Sequence, residues 1–404
     1  MKKCKGGVCA AQGFKAAGVH AGIRKNKTKA DLALIVSETI CSAAGVFTTN
    51  KVKGAPLKVD AKHLVNGKAQ AIICNSGIAN TCCPNGEETA EEICNIVANA
   101  TKLKAEDILV NSTGVIGMAL VLEPFHTGVP EACRLLATEG STDAALAIMT
   151  TDTTPKEFSY EFTAGGKTCR IGAIGKGSGM IHPNMATMLI FITTDAAISP
   201  AMLQKALSED IPGTFNQISV DGDTSTNDTV LILANGMAGN TEITAEGSDY
   251  DEFAAALNAI TRRMSRAIAA DGEGATKLLE CTVKNADTLL NARAISKSVI
   301  CSSLFKAAMF GADANWGRAL CAIGYTQGDF SIDGVSVVLK SKAGEVLVCE
   351  NAAYHEYSED EAAKILAEDE IDIIIDMHDG SFEATAWGCD LTYDYVKING
   401  DYRT

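Results

Sequence analysis

Continuous apolar runs that stop at a glycine-bearing polar loop constrain this chain most. "QAIICNSG" (Gln70–Gly77), "DILVNSTGVIG" (Asp107–Gly117) and "TVLILANG" (Thr229–Gly236) share that form, and "MLIFIT" (Met188–Thr193) is a further run of the same kind. An unbroken apolar run of this length marks a strand covered on both faces, whereas a half-exposed strand would alternate. Covering elements are therefore required, and the sequence supplies helices. "SDYD" from Ser248 is a capping pattern, and Phe253, Leu257, Ile260, Met264 and Ile268 behind it form one apolar stripe. "SEDE" from Ser358 precedes a helix through Ala362–Leu366, and Glu87–Ala100 and Ala144–Met149 read as helices too. Strands and helices recur along the whole chain, so the fold class is α/β, or a closely layered α+β. The 404 residues, 47% of them apolar, suffice for two domains. A boundary is expected near residues 275–295, where "DGEGATK" opens a new set of strands.

Charge and cysteine usage exclude several function classes. The formal charge is −15, from 35 basic and 50 acidic residues. Such a surface repels nucleic-acid phosphates and anionic lipid. The densest basic cluster, "KKCK" at Lys2–Lys5, reads as a frayed, solvated terminus. The 14 cysteines include no C-x-x-C pair, which argues against zinc. Most lie in apolar surroundings such as "AIIC" and "LCAIG", where a thiol behaves as a small core hydrophobe. Scattered free thiols point to a reducing cytoplasm. No apolar h-region follows the basic N-terminus, and no apolar run approaches the ~20 residues of a membrane span. A cytoplasmic protein is expected.

The chemistry centres on "GKGSGMIHPNMATML" (Gly175–Leu189), where Thr187 stands between a glycine-rich loop and an apolar strand. A threonine hydroxyl needs a base to act as a nucleophile. Cutting the Ala186–Thr187 bond would free an α-amine that titrates near ~8 and can take the hydroxyl proton. The hydroxyl can itself make that cut by attacking the Ala186 carbonyl, and water then hydrolyses the ester. The plainer reading is a threonine that merely starts a strand. "IGKGSG" is no phosphate loop, because Gly177 and not Ser or Thr follows Lys176. Elsewhere, "NSTGVIG" sets Thr113 and Gly114 after a strand, a workable oxyanion hole. "MTTDTTPK" is dense in hydroxyls, and Glu273 lies between glycines in "DGEGATK".

Taken in order, "NSTGVIG", "MTTDTTPK", "GKGSGMIHPNMATML", "SVDGDTSTNDTV", "DGEGATK", "FGADANWGR" and the final "KINGDYRT" resemble the ornithine acetyltransferase family of arginine biosynthesis. The resemblance also takes in "GFKAAGVHAGIRK" (Gly13–Lys25). It implies a two-domain, N-terminal-nucleophile-like fold made as one precursor. Self-cleavage between Ala186 and Thr187 would give an α chain, 1–186, and a β chain, 187–404, that stay together as an α2β2 heterotetramer. It implies ping-pong acetyl transfer from N-acetylornithine to glutamate through an acetyl-threonine, with acetyl-CoA as a further donor in bifunctional members. No other cofactor and no metal are implied.

By matching motifs, Thr187 is the nucleophile and Thr113 and Gly114 form the oxyanion hole. Lys176, Glu273, Asn399 and Thr404 join Thr187 at substrate-binding positions. So does Thr150, with Thr151 and Thr153 as competitors. Lys176 suits a substrate carboxylate and Glu273 an amine. His182 is expected on a loop surface, outside the catalytic set. The acidic "SVDGDTSTND" loop could hold Ca²⁺ or Mg²⁺ through oxygens, although packing behind the active site is the simpler reading. Two alternatives remain: a self-processing aminopeptidase or amidase, with water as acceptor, and a non-catalytic amino-acid-binding protein that stays one chain.

Overall fold

The computed structural model describes residues 1–182 and 188–401. They form two compact units. One comprises 1–177, 188–212 and 224–264; the other comprises 178–182, 213–223 and 265–401. The second unit thus holds the whole 275–295 stretch.

The first unit is built on one mixed sheet. Its strands lie in the order Lys2–Lys3, Lys156–Ala164, Lys167–Lys176, Leu189–Thr194, Thr229–Ala234, Leu32–Phe47, Lys68–Ile78, Ile108–Val115, with Phe14–Val19 also paired to Leu32–Phe47. The apolar runs form strands as the sequence predicts, and both faces are covered. Ala33, Ile35, Ile72 and Cys74 pack with Ala144, Ala145 and Ile148 of the helix Ser141–Ile148. Their neighbours Leu32, Leu34, Ala71 and Ile73 face the other way. They meet Ile93 and Val97 of the helix Gly86–Thr101 and Phe125 and Val129 of the helix Glu123–Leu135. The sheet's period of two divides each strand between two cores.

"KKCK" is not frayed. Lys2 pairs with Glu161 and Lys3 with Tyr160 in an edge ladder, and the Cys4 amide donates to the Ser159 carbonyl at 3.1 Å. The main-chain ladder recruits the segment although both side chains stay in water.

The second unit has its own mixed sheet, ordered Ala353–Tyr354, Gly344–Glu350, Ser336–Ser341, Glu370–Asp376, Leu278–Ala286, Phe382–Cys389, Ile218–Ser219. The helices Leu289–Cys301, Ser303–Phe310, Trp316–Gly324 and Glu359–Leu366 close one core on it. Ser358 caps the last of these, its hydroxyl accepting from the Glu361 amide at 3.3 Å. The helix Ser248–Ala270 starts one residue earlier than its capping pattern implies: the Asp251 amide donates to the Gly247 carbonyl, so Ser248 lies inside the first turn. The stripe Phe253, Leu257, Ile260, Met264 and Ile268 is wholly buried, each side chain being worth roughly 1.5–3 kcal/mol of transfer free energy.

All 14 cysteines are free thiols. Burial pushes those of Cys9 and Cys41 up to about 12, which leaves them inert. Cys321 of "LCAIG" is exposed and not in the core, because it lies on the outer face of its helix. Among the described residues no helix is long and apolar enough to cross a membrane.

Candidate functional site

Thr187 and Ala186, and Thr404 at the chain end, lie outside the described residues. The other positions singled out in the sequence divide between the two units, and each group has its own local construction.

In the first unit, Thr113 and Gly114 end the strand Ile108–Val115, which runs parallel to Lys68–Ile78 with Gly114 opposite Gly77. A Cβ on Gly114 would sit 2.3 Å from the Gly77 carbonyl carbon, and its φ of +130° is left-handed, so only glycine fits. Thr113 is half-buried, and its hydroxyl makes no hydrogen bond among the described residues. Buried amides fix the strand end from below. Ser112 Oγ donates to Asn75 Oδ1 at 2.7 Å, and Asn227 Nδ2 donates to the carbonyls of Ser112 and Ala79 at 2.9 and 2.7 Å. Asp60 accepts from the Val110 amide at 2.7 Å and from Asn111 Nδ2 at 3.1 Å, and burial raises its carboxyl well above the usual range.

Around Asp152 the structure gathers Thr150 and Lys176. The Thr150 amide donates to Asp152 Oδ2 at 3.0 Å, and the Lys176 ammonium lies 4.0 Å from the same oxygen. Asp152 Oδ1 accepts from Lys156 Nζ at 2.8 Å and from the Gly177 amide at 2.7 Å. Burial opposes ionisation here, but Lys176 and then Lys156 outweigh it and hold the Asp152 carboxyl down at about 2. Lys176 is 7% exposed, and its ammonium makes no hydrogen bond among the described residues. A buried ammonium with open donor capacity, beside a carboxylate already occupied, is set up for a second anion.

The turn that carries Thr150 is pinned by Arg24, whose guanidinium donates to the Met149 carbonyl and, through Nε at 3.0 Å, to Ser76 Oγ. Ser76 Oγ in turn donates to the Ala147 carbonyl at 2.5 Å. Asp152, Lys156 and Arg24 were not singled out from the sequence. The signal was present in "TTDTTPK", where one carboxylate lies among hydroxyls ahead of a lysine.

In the second unit, Glu273 and Asn399 meet although 126 residues separate them: Asn399 Nδ2 donates to Glu273 Oε2 at 2.8 Å and to the Tyr395 carbonyl at 3.1 Å. Gly179 makes room, since a Cβ there would lie 2.3 Å from the Glu273 carboxylate. The Glu273 amide donates to the Ser178 carbonyl at 3.0 Å. The acidic loop works on the same segment. Asp221 accepts from the amides of Met180 and Ile181 at 2.6 and 2.8 Å, so it orders the glycine-rich turn. Among the described residues no cluster of three or more His, Cys, Asp or Glu side chains could hold a metal.

His182 is half-buried and not on a loop surface. Its Nδ1 lies 3.1 Å from Ser219 Oγ and 3.5 Å from Cys301 Sγ. Burial, with Lys297 nearby, lowers its imidazole to about 4.

A model of the ArgJ family matches residues 15–404. The arginine biosynthesis bifunctional protein ArgJ of Caldanaerobacter subterraneus subsp. tengcongensis is 50% identical over 394 residues, 97% of each chain. The protein of the same name from Symbiobacterium thermophilum is 49% identical over 410 aligned positions, 100% of both chains. A solved structure, the arginine biosynthesis bifunctional protein argJ of Bacillus halodurans, is 42% identical at a TM-score of 0.49 and covers 52% of this chain and 97% of that one.

Proposed function

Since this chain belongs to the ArgJ family, we propose that it moves an acetyl group from N-acetylornithine to glutamate through an acetyl-threonine at Thr187, and that acetyl-CoA serves as a second donor, in keeping with the word bifunctional in its relatives' names. Self-cleavage between Ala186 and Thr187 frees the amine that acts as base, and the two chains remain together as an α2β2 assembly in the cytoplasm.

The observation that carries this reading is Lys176: a buried ammonium whose carboxylate neighbour is already engaged and whose own donors are open. Both amino-acid substrates bear an α-carboxylate that such a group would take. Thr113 and Gly114 supply donors to the oxyanion that forms at the acetyl carbonyl. The Glu273 carboxylate, oriented by Asn399, attracts the ornithine ammonium. Thr150 and Thr404 contribute polar contacts to substrate.

The order of steps follows from the chemistry. Thr187 Oγ attacks the acetyl carbonyl of N-acetylornithine while its proton passes to the α-amine. The tetrahedral intermediate collapses as the same proton reaches the leaving ornithine nitrogen. The glutamate amine then attacks the ester and regenerates the hydroxyl. No further cofactor is needed. Thr187→Ala should leave a single uncut chain of 42.3 kDa with neither activity. Two fragments from that variant would refute the self-cleavage step.

A further inference from the structure

The turn 178–182 follows the strand Lys167–Lys176 and belongs to the second unit. Main-chain and side-chain bonds grip it along its whole length. Ser178 Oγ donates to the Asp271 carbonyl at 2.7 Å, and the Ser178 carbonyl accepts from the Glu273 amide at 3.0 Å. The Ile181 carbonyl accepts from the Val220 amide at 2.6 Å. Between these points the amides of Met180 and Ile181 donate to one carboxylate, Asp221, at 2.6 and 2.8 Å.

Met180 is the strained residue of the turn. Its φ is +57°, and its side chain is 42% exposed. A left-handed backbone disfavours a residue with a Cβ, and it persists where the surroundings over-determine it. With the side chain so exposed, bonds to the main chain hold this conformation more than packing does. Asp221 supplies two of them, one on the amide of Met180 and one on the next.

Asp221 is fixed in its turn. The Val220 carbonyl accepts from the buried Lys306 ammonium, and the carbonyls of Asn216 and Ile218 each accept from Lys297 Nζ at 2.6 Å. The acetyl transfer proposed above uses neither lysine. The Asp223 amide adds a bond to Asp221 Oδ1 at 3.2 Å. Tyr395 stands close by: burial, and then the charges of Asp221, Glu273 and Asp223, push its phenol up.

The Ala186–Thr187 bond follows this turn in the chain. Attack by Thr187 Oγ needs the carbonyl side of that bond oriented as firmly as the nucleophile. We propose that Asp221 is the positioning residue of self-cleavage. By holding Met180 and Ile181 it fixes the path on which the chain approaches the scissile bond, and it touches no reacting atom. In the step served, Thr187 Oγ bonds to the Ala186 carbonyl carbon, the C–N bond breaks, and the hydroxyl proton passes to the freed amine. Water then hydrolyses the ester and restores the hydroxyl. The inference rests on the proposed self-cleavage. It also makes the cut wait until residues 213–223 and 271–273, all downstream of the bond, have folded around the turn.

The test follows full-length chains made by cell-free synthesis, with the uncut fraction read against time on denaturing gels and by intact mass. In Asp221→Asn one oxygen remains to accept and the NH2 confronts an amide, so cleavage should slow about tenfold or more. Met180→Val should slow it too, because a branched side chain resists the left-handed backbone. Asp221→Asn/Met180→Gly should recover much of the rate, since glycine takes that φ without strain. A glycine would not make good the loss of a carboxylate that only stabilises the fold. Melting is compared between Thr187→Ala and Thr187→Ala/Asp221→Asn, neither of which can cut itself, and both should unfold cooperatively. If the double variant does not fold, Met180→Val decides alone, and a wild-type rate in it overturns the proposal. Wild-type rates in both Asp221→Asn and Met180→Val would overturn the role of Asp221 and leave self-cleavage standing. A slow Asp221→Asn that Met180→Gly does not rescue would overturn the holding of the turn as its cause. A wild type that stays one chain would overturn self-cleavage itself, and this role with it.

Discussion

Asp152→Asn keeps the shape of the side chain and removes the charge on which two buried lysines depend. Each carboxylate oxygen serves one lysine and one amide: Oδ1 takes Lys156 and Gly177, and Oδ2 faces Lys176 and Thr150. An asparagine can accept on one side only, so its NH2 must confront a donor on the other. The carboxyl is held from 3.8 down to about 2, and at about 1.4 kcal/mol per unit the native state gains on the order of 2–3 kcal/mol from that ionisation. The loss in the variant should be of that order or somewhat larger, about 3 kcal/mol, because two ammoniums are left in a low-dielectric site. Urea titration of wild type and variant reads this directly as a lower midpoint at unchanged m.

The sign with pH follows from the depressed folded value. The stabilisation is complete above 3.8 and fades as pH falls towards about 2, so the gap between the two proteins should stay constant from pH 7 to 5 and close below. Because Lys176 loses its anchor, the KM for N-acetylornithine should rise by about tenfold or more with a smaller fall in kcat. A variant within about 1 kcal/mol of wild type and with unchanged KM would refute the view that Asp152 positions Lys176.

Gly114→Ala places a Cβ against the Gly77 carbonyl at a left-handed φ; it should cost at least about 3 kcal/mol and reduce kcat by about a hundredfold or more, and near-normal kcat by steady-state assay would contradict an oxyanion role for this strand end. His182, lowered from 6.5 to about 4 by burial, is held neutral in the fold. The stability it contributes is present above 6.5 and is lost as pH falls towards 4. His182→Gln should therefore flatten the decline in melting temperature across that window while leaving the neutral-pH activity profile in place, and an unchanged decline would exclude His182 as its source.

The strands of the first sheet were legible because their apolar runs are unbroken and end at glycine or a polar loop. The strand Leu32–Phe47 was harder to see: its 16 residues carry exposed Glu38, Thr39 and Ile40 at mid-length, where the ladder to Lys68–Ile78 breaks register between Val36 and Cys41. A bulge of that kind interrupts the apolar pattern that announces a strand. Among the candidate residues, Thr113 and Gly114 were local signals. Asp152 and Lys156 were not, since an i, i+4 acid–base pair suggests a helix face and here spans a turn into a strand. The contact of Glu273 with Asn399 closes over 126 residues, and no local pattern encodes such closure.

The central claim is that Thr187 becomes a chain terminus and then carries the acetyl group. The most direct measurement is intact mass under denaturing conditions, before and after incubation of the purified protein with N-acetylornithine. Two chains parting at Ala186/Thr187 are expected, the second gaining about 42 Da when its hydroxyl is acetylated. A single chain of 42.3 kDa with no adduct would contradict the account.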